Sequence, residues 1–239
     1  MQEIIKIDSL NKWFKENHAL ADLTLSVKQG ELFGLLGVNG AGKTTLIKIL
    51  CGLTKKCSGS VSIGGFNLDT DLDRIKEIVD ISPQETSVAL NLTVKENLEF
   101  FANIYNTEKE HVDRIVEIFS LQEVLNKKAK TLSGGYKRRL SIAIALISKP
   151  QIFFLDEPTL GLDVFARREL WKIINKLKSN VTIILTSHYL EEIENLCDRV
   201  AILSKGKLLT VGSIDEVKSN ANANTFEDAF IKVVESANE

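Results

Sequence analysis

Apolar and polar residues alternate over 3–7 and again at Leu23, Leu25 and Val27, and 31–36 is a short apolar run stopped by Gly37. These patterns predict strands. After a glycine-rich turn, Leu46, Ile47, Ile49 and Leu50 run without a breaker to Gly52, which predicts a helix over 44–50 with a glycine at its end. A strand over 60–63 runs into a Gly64-Gly65 turn. From about 90 to 129 the period becomes helical, with Leu98, Phe101, Ala102 and Tyr105 on one face and Val112, Ile115, Val116 and Phe119 on another. A strand over 152–155, a helix carrying Leu170, Ile173, Ile174 and Leu177, and a strand over 181–186 then form a strand–helix–strand unit. Such units build parallel sheets with helices on their faces. Segments 199–203 and 207–211, joined at Ser204-Lys205-Gly206, read as a hairpin, and Ser213 with Glu216 fits a helix capping box. The polar stretch 219–225 reads as a linker to a short amphipathic helix with Phe226, Phe230 and Val233. No repeat of 20–50 residues and no heptad array is visible, so the expected architecture is a mixed sheet core interrupted by one helical insertion.

Length and charge narrow the class. The 239 residues suit one large or two small domains and are 44% hydrophobic; the 30 basic and 32 acidic residues leave a net charge of −2, against a strongly basic nucleic-acid binder. Cys51, Cys57 and Cys197 are an odd, scattered set, expected as small buried hydrophobes with no disulfide partner and no zinc site. The opening MQEIIKIDSL has neither a basic n-region nor a long apolar h-region, so no signal peptide is expected, and apolar runs such as 142–147 fall short of the roughly 20 residues that span a bilayer.

The candidate chemistry sits at the first glycine-rich turn. Gly37-Val-Asn39-Gly40-Ala41-Gly42-Lys43-Thr44 matches G-x-x-x-x-G-K-[ST] between an apolar strand and a helix. The glycines let backbone N–H groups converge on phosphates at the positive end of the following helix. Lys43 supplies a point charge toward the β- and γ-phosphate oxygens, and the Thr44 hydroxyl is placed to ligand Mg²⁺. A second element, the apolar strand ending at Asp156, has the Walker-B form: Asp156 would bind Mg²⁺, and Glu157 could polarise the attacking water as general base.

Leu132-Ser133-Gly134-Gly135-Tyr136 then resembles the LSGGQ signature of ATP-binding cassette (ABC) ATPases. The order phosphate loop, Gln84, signature, Asp156-Glu157, Asp163, His188 fits that family, and the resemblance runs from about residue 3 to 217. The stretches GLLGVNGAGKTT, LSGGYKRRL, LDEPTLGLD and TSHYLEEIENLCDRVAIL are most similar to ATP-binding subunits of ABC-2-type exporters. The resemblance implies an α/β fold: a RecA-like P-loop NTPase core with an antiparallel β subdomain and an inserted helical subdomain at about 86–138, within one ABC ATPase domain over 1–218, followed by the linker and C-terminal helix of 219–239.

It also implies roles by position. Phe14 matches the aromatic that stacks on adenine, with Trp13 as the fallback and a core role for either left open. Gly37, Asn39, Gly40, Ala41, Gly42, Lys43, Thr44 and Thr45 bind the nucleotide; Thr44, Gln84 and Asp156 hold the metal; Glu157, His188, Lys43 and Gln84 serve catalysis. Ser133, Gly134 and Gly135 resemble signature residues that bind the γ-phosphate of ATP held by a partner subunit. Asp163 matches the loop crossing the dimer interface, and could equally be the N-cap of the next helix. Two phosphate-binding ends that cannot meet on one nucleotide imply a head-to-tail dimer burying two ATP molecules, homodimeric or with a second ATPase chain. The expected partner is a separate integral membrane permease, which would place the chain in the cytoplasm against the inner face of the membrane, with export as the expected direction. No nucleic-acid partner is expected; the alternative is a soluble ABC ATPase acting on nucleic acid or ribosomes, whose coiled coils or tandem cassettes are missing from this sequence. A non-hydrolysing regulatory module would be expected to lose Lys43, Glu157 or His188, and none is lost. The basic cluster Lys127, Lys128, Lys130, Lys137, Arg138 and Arg139 is expected as a solvated face, and His18 and His111 are expected to be bland.

Overall fold

The computed structural model describes residues 2–178 and 180–237. In chain order the elements are β1 (Glu3–Phe14), β2 (Asn17–Lys28), β3 (Leu32–Gly37), α1 (Lys43–Leu50), β4 (Ser58–Ile63), β5 (Phe66–Asn67), α2 (Leu72–Ile78) and β6 (Val79–Ser82). Then follow α3 (Val94–Tyr105), α4 (Lys109–Ile118), α5 (Gly134–Ala145), β7 (Ile152–Asp156), α6 (Val164–Leu177), β8 (Thr182–Thr186) and α7 (Leu190–Leu196). The chain closes with β9 (Arg199–Ser204), β10 (Lys207–Gly212), α8 (Ile214–Asn220) and α9 (Phe226–Ser236).

Two sheets result. One is antiparallel, in the order β2-β1-β4-β5; the other runs β10-β9-β3-β8-β7-β6. In the second, β9, β3, β8, β7 and β6 are mutually parallel and only β10 turns back. Every residue of β3, β7 and β8 is buried, which explains why these segments read as unbroken apolar runs. The alternation is still there, divided between two cores. Leu32, Leu36, Phe153, Leu155, Ile183 and Leu185 face the cluster shared with α3–α7 and α9. Phe33, Leu35, Ile152, Phe154 and Ile184 face the cluster shared with the antiparallel sheet, α1 and α2. Parallel neighbours need a long crossover, and between β6 and β7 it is the helical segment α3–α5 that supplies it.

The structure also differs from the sequence pattern. The N-terminal alternation continues far beyond 3–7 and 23–27 into a long hairpin, with left-handed Ser9 and Asp22 at two of its register shifts. The short elements α2, β6 and α7 escape notice because α2 and α7 have 7 residues each and β6 only 4. The turn between β9 and β10 has positive φ at both Lys205 and Gly206, the geometry that suits a two-residue hairpin. The expected linker over 219–225 shrinks to a short turn: α8 runs to Asn220, and Thr225 caps α9 by accepting the Asp228 N–H. Phe226 and Ala229 are fully buried against the sheet, so α9 is part of the core. Burying one such phenylalanine contributes about 1.5–3 kcal/mol.

The cysteine expectation needs one correction. Cys51 and Cys197 are packed in, and burial pushes the Cys51 thiol up to about 12. Cys57 is exposed, with its Sγ accepting the Trp13 N–H at 3.4 Å, because it precedes the solvent-facing start of β4. Among the described residues no helix is long and apolar enough to cross a membrane.

Candidate active site

The glycine-rich turn leaves β3 at the C-terminal edge of the parallel sheet and enters α1. Gly42 caps that helix with φ 106°, and a Cβ there would stand 2.7 Å from the Ala19 carbonyl oxygen, so only glycine lets the hairpin of β1 and β2 close over the loop. Gly37 lies beneath the loop; its carbonyl accepts a 2.6 Å hydrogen bond from the Lys43 ammonium. Lys43 is buried, and desolvation lowers its pKa while the nearby charges of Glu157 and Asp156 push it back up.

Residues 39–45 form one wall of a cavity of about 540 Å³. Gln84, Asp156, Glu157 and His188 face them, and Phe14, Asn17, His18, Ala19 and Lys205 rim the space. Strand ends bring these distant residues together: Gln84 follows β6, Asp156 ends β7 and His188 follows β8. Open α/β sheets bind ligands at that edge.

The acidic side of the cavity is tightly ordered. Strand register places Asp156 opposite Thr186, whose fully buried hydroxyl donates to Asp156 Oδ1 at 2.6 Å. The same hydroxyl accepts the Glu157 N–H at 3.0 Å, and the Thr186 carbonyl shares that proton at 3.2 Å. Glu157 has a left-handed backbone, φ 51°, rare for a residue with a side chain. Its Oε1 lies 2.7 Å from His188 Nε2. Burial raises the Glu157 pKa, with Lys43 working against the shift and Asp156 adding to it. Burial lowers that of His188, helped by Lys43 and opposed by Asp156. Both shifts disfavour the charged form of the group concerned.

The expected aromatic reaches the cavity: Phe14 stands half-exposed at its rim, whereas Trp13 stacks face to face on His18 with centroids 3.9 Å apart. His18 is thus less bland than expected, since it both braces Trp13 and lines the rim. His111 has its Nε2 3.1 Å from the Leu146 carbonyl.

Ser133, Gly134, Gly135 and Asp163 stand apart from the cavity lining. Ser133 caps α5 by accepting the Tyr136 N–H, and Asp163 caps α6 by accepting two N–H groups, of Phe165 and Ala166, at 2.9 Å each. A Cβ on Gly134 would meet nothing within 4 Å, so packing inside this chain does not call for a glycine there.

A family model for ABC transporter proteins matches residues 20–160, more than half of the chain. The chain belongs to the ABC transporter family. This ABC chain is 37% identical over 98% of its length to "Probable multidrug ABC transporter ATP-binding protein YbhF" of Escherichia coli, but spans 42% of that protein. It is 33% identical over 98% of its length to linearmycin resistance ATP-binding protein LnrL of Bacillus subtilis and covers 77% of it. Among solved structures, an ATP-binding subunit of an ABC transporter superposes with a TM-score of 0.85 at 27% identity, covering 96% of this chain and 99% of that one. The ABC ATPase fold, with its two sheets and helical insertion, is therefore the fold of this chain.

Sequence reasoning missed several residues of this ABC site. Arg138 is a correction to the solvated basic cluster: it is 3% exposed. Thr186, which orders both acids, was only the last letter of an apolar run. Glu192 on α7 is fully buried, accepting from the Trp171 indole at 2.7 Å and the Thr159 hydroxyl at 3.1 Å; burial raises its pKa and these bonds oppose the rise. Lys205 reaches the rim from the β9–β10 turn, whose Gly206 N–H donates to the Ala41 carbonyl. The tight Lys205-Gly206 turn was visible in the sequence, but nothing local says which loop it touches.

Proposed function

We propose that this chain binds ATP with Mg²⁺ in the cavity between residues 39–45 and the Gln84–Asp156–Glu157–His188 wall and hydrolyses it. The observation that carries this reading is the convergence of a phosphate loop and a buried, oriented acid pair on one cavity. The backbone N–H groups of 39–45 and the positive end of α1 bind the triphosphate, and Lys43 gives up its bond to the Gly37 carbonyl to reach the β- and γ-phosphate oxygens. Phe14 stacks on the adenine; Trp13 is already engaged with His18.

The residues fit the metal. The Thr44 hydroxyl, the Gln84 amide oxygen and the Asp156 carboxylate are hard oxygen donors around one cavity, the set that Mg²⁺ takes alongside phosphate oxygens. Bound there, Mg²⁺ neutralises charge on the transferring phosphoryl group. Thr186 keeps the Asp156 carboxylate turned to the cavity. Glu157 accepts a proton from the attacking water, its basicity raised by burial, and the water oxygen bonds to the γ-phosphorus as the bond to ADP breaks. The His188 Nε2 that meets the Glu157 carboxylate in the nucleotide-free chain is the group we assign to the γ-phosphate once ATP is bound.

Ser133, Gly134 and Gly135, outside the cavity and bare at the start of α5, are suited to the γ-phosphate of ATP on a second ATPase chain, identical or related, placed head to tail. ATP then joins the two chains, and hydrolysis releases them. The relatives named as transporter ATP-binding proteins support coupling of this cycle to a separate membrane permease, with the chain held at the cytoplasmic face and substrate moved outward.

The test is co-purification. The Glu157→Gln chain, tagged and mixed with ATP, Mg²⁺ and solubilised source membranes, is expected to bring down a polytopic membrane protein. Recovery of ribosomes or DNA alone would overturn the transport reading and leave the ATPase chemistry standing.

A further inference from the structure

The basic side chain that the sequence assigned to solvent is the most heavily engaged group near the acids. Arg138 lies one turn into α5, the helix that begins at Ser133. Its Nε donates to the Pro158 carbonyl at 2.8 Å and its Nη2 to the Asp156 carbonyl at 3.1 Å. Its Nη1 donates to the carbonyls of Pro83 at 2.5 Å and Gln84 at 3.3 Å. One planar guanidinium thus joins three segments: the signature helix, the loop carrying Gln84 and the turn carrying Glu157. Every acceptor is a backbone carbonyl. A charge buried without a bonded carboxylate is costly to keep, and burial lowers its pKa to about 10, which leaves it charged at neutral pH. Its four bonds specify where backbone goes.

The turn it grips is the one that needs holding. Left-handed backbone at Glu157 persists only where its surroundings over-determine it. Thr186 on β8 holds the Glu157 amide, and Glu192 on α7 holds the Thr159 hydroxyl. Arg138 holds the carbonyl between them, and its grip comes from the helix whose first residues, Ser133, Gly134 and Gly135, are not part of this chain's own cavity lining.

We propose that Arg138 is a positioning residue that couples the placement of α5 to that of Glu157 and Gln84, so that the catalytic base is set for water only while α5 is held at its signature end. The proposal rests on Glu157 being the base for ATP hydrolysis. A phosphate docked on Ser133–Gly135 fixes the start of α5; Arg138, about one turn further, carries that position to Pro158 and to the Pro83–Gln84 backbone. Contacts made by a nucleotide on the partner are thereby read out at this chain's own acids.

The test is a double-mutant cycle on the purified full chain, with ATP affinity, kcat and thermal unfolding measured for Arg138→Gln, Arg138→Lys, Glu157→Gln and the combination of Arg138→Gln with Glu157→Gln. Misplacing a catalytic group by about 1 Å costs on the order of 100-fold, so Arg138→Gln is expected to lower kcat about that much with ATP affinity unchanged. Arg138→Lys, which keeps the charge and can reach some of the carbonyls, should recover part of the loss. In the Glu157→Gln background the Arg138 substitution should cost much less, retaining only the part that acts through Gln84. If the Gln variant does not fold, Arg138→Lys alone must show the fall in kcat at wild-type ATP affinity. An unchanged kcat, a loss of kcat matched by lost ATP affinity, or an equal loss with and without Glu157 would overturn the proposal. Wild-type turnover in Glu157→Gln itself would instead overturn the assignment of the base.

Discussion

Thr186→Val is the sharpest probe of how the two acids are held. Valine keeps the shape of the fully buried side chain and removes one hydroxyl that serves both acids. The bond to Asp156 Oδ1, 2.6 Å long and made to a carboxylate, should be worth about 1.5–3 kcal/mol. The Glu157 N–H keeps its second acceptor, the Thr186 carbonyl at 3.2 Å, so its loss stays near the low end of about 0.5–1.5 kcal/mol. Together these give a destabilisation of about 2–4 kcal/mol. For a domain of this size each kcal/mol lowers Tm by about 2–4 °C, so nucleotide-free chain followed by circular dichroism should lose roughly 4–16 °C. Thr186→Ser, which retains the hydroxyl, should lose far less. A valine variant melting within about 1 °C of wild type, or a serine variant melting as low as valine, would refute the reasoning.

Other consequences can be checked in parallel. Phe14→Ala should weaken ATP more than inorganic triphosphate in a titration, because the proposed stacking is on the base alone; equal losses would remove Phe14 from that role. Ser133→Arg should leave nucleotide binding by one chain intact and prevent ATP-dependent dimerisation, read by light scattering; a normal dimer would contradict the two-chain site. For pH, Glu157 must be ionised to act, and burial raises its pKa above the ordinary 4.5. The acid limb of kcat/KM, which reports the free chain, should therefore fall at a pH above 4.5, and activity undiminished down to that value in folded protein would sink the base assignment. The same raised pKa favours the protonated folded state, so Glu157's own contribution to stability diminishes as pH rises through that window.

How much of this was legible in the sequence depended on whether a feature was local. The glycine-rich turn is contiguous, and its strand, turn and helix constrain one another, so the cavity wall at residues 39–45 could be located without coordinates. The buried strands were legible as apolar runs because both faces of the sheet are covered. Thr186 was not, because its pairing with Asp156 depends on register between β7 and β8, which no local pattern encodes. Arg138 was hidden by its company: five other basic residues surround it in sequence. Helical phase offered a clue, since Arg138 shares a face with buried Ser141 and Ile142, three and four residues on. The polar run ahead of α9 was also misread, because it resembled a linker when it is a short turn between two helices.

The most direct test of the central claim is ATP turnover by the purified chain carrying Glu157→Gln, compared with wild type at equal nucleotide occupancy. If the acid pair at the end of β7 performs the chemistry, the variant should bind ATP as tightly as wild type and lose hydrolysis, accumulating as an ATP-bound dimer. Hydrolysis at the wild-type rate would contradict the account, because the base would have to lie elsewhere.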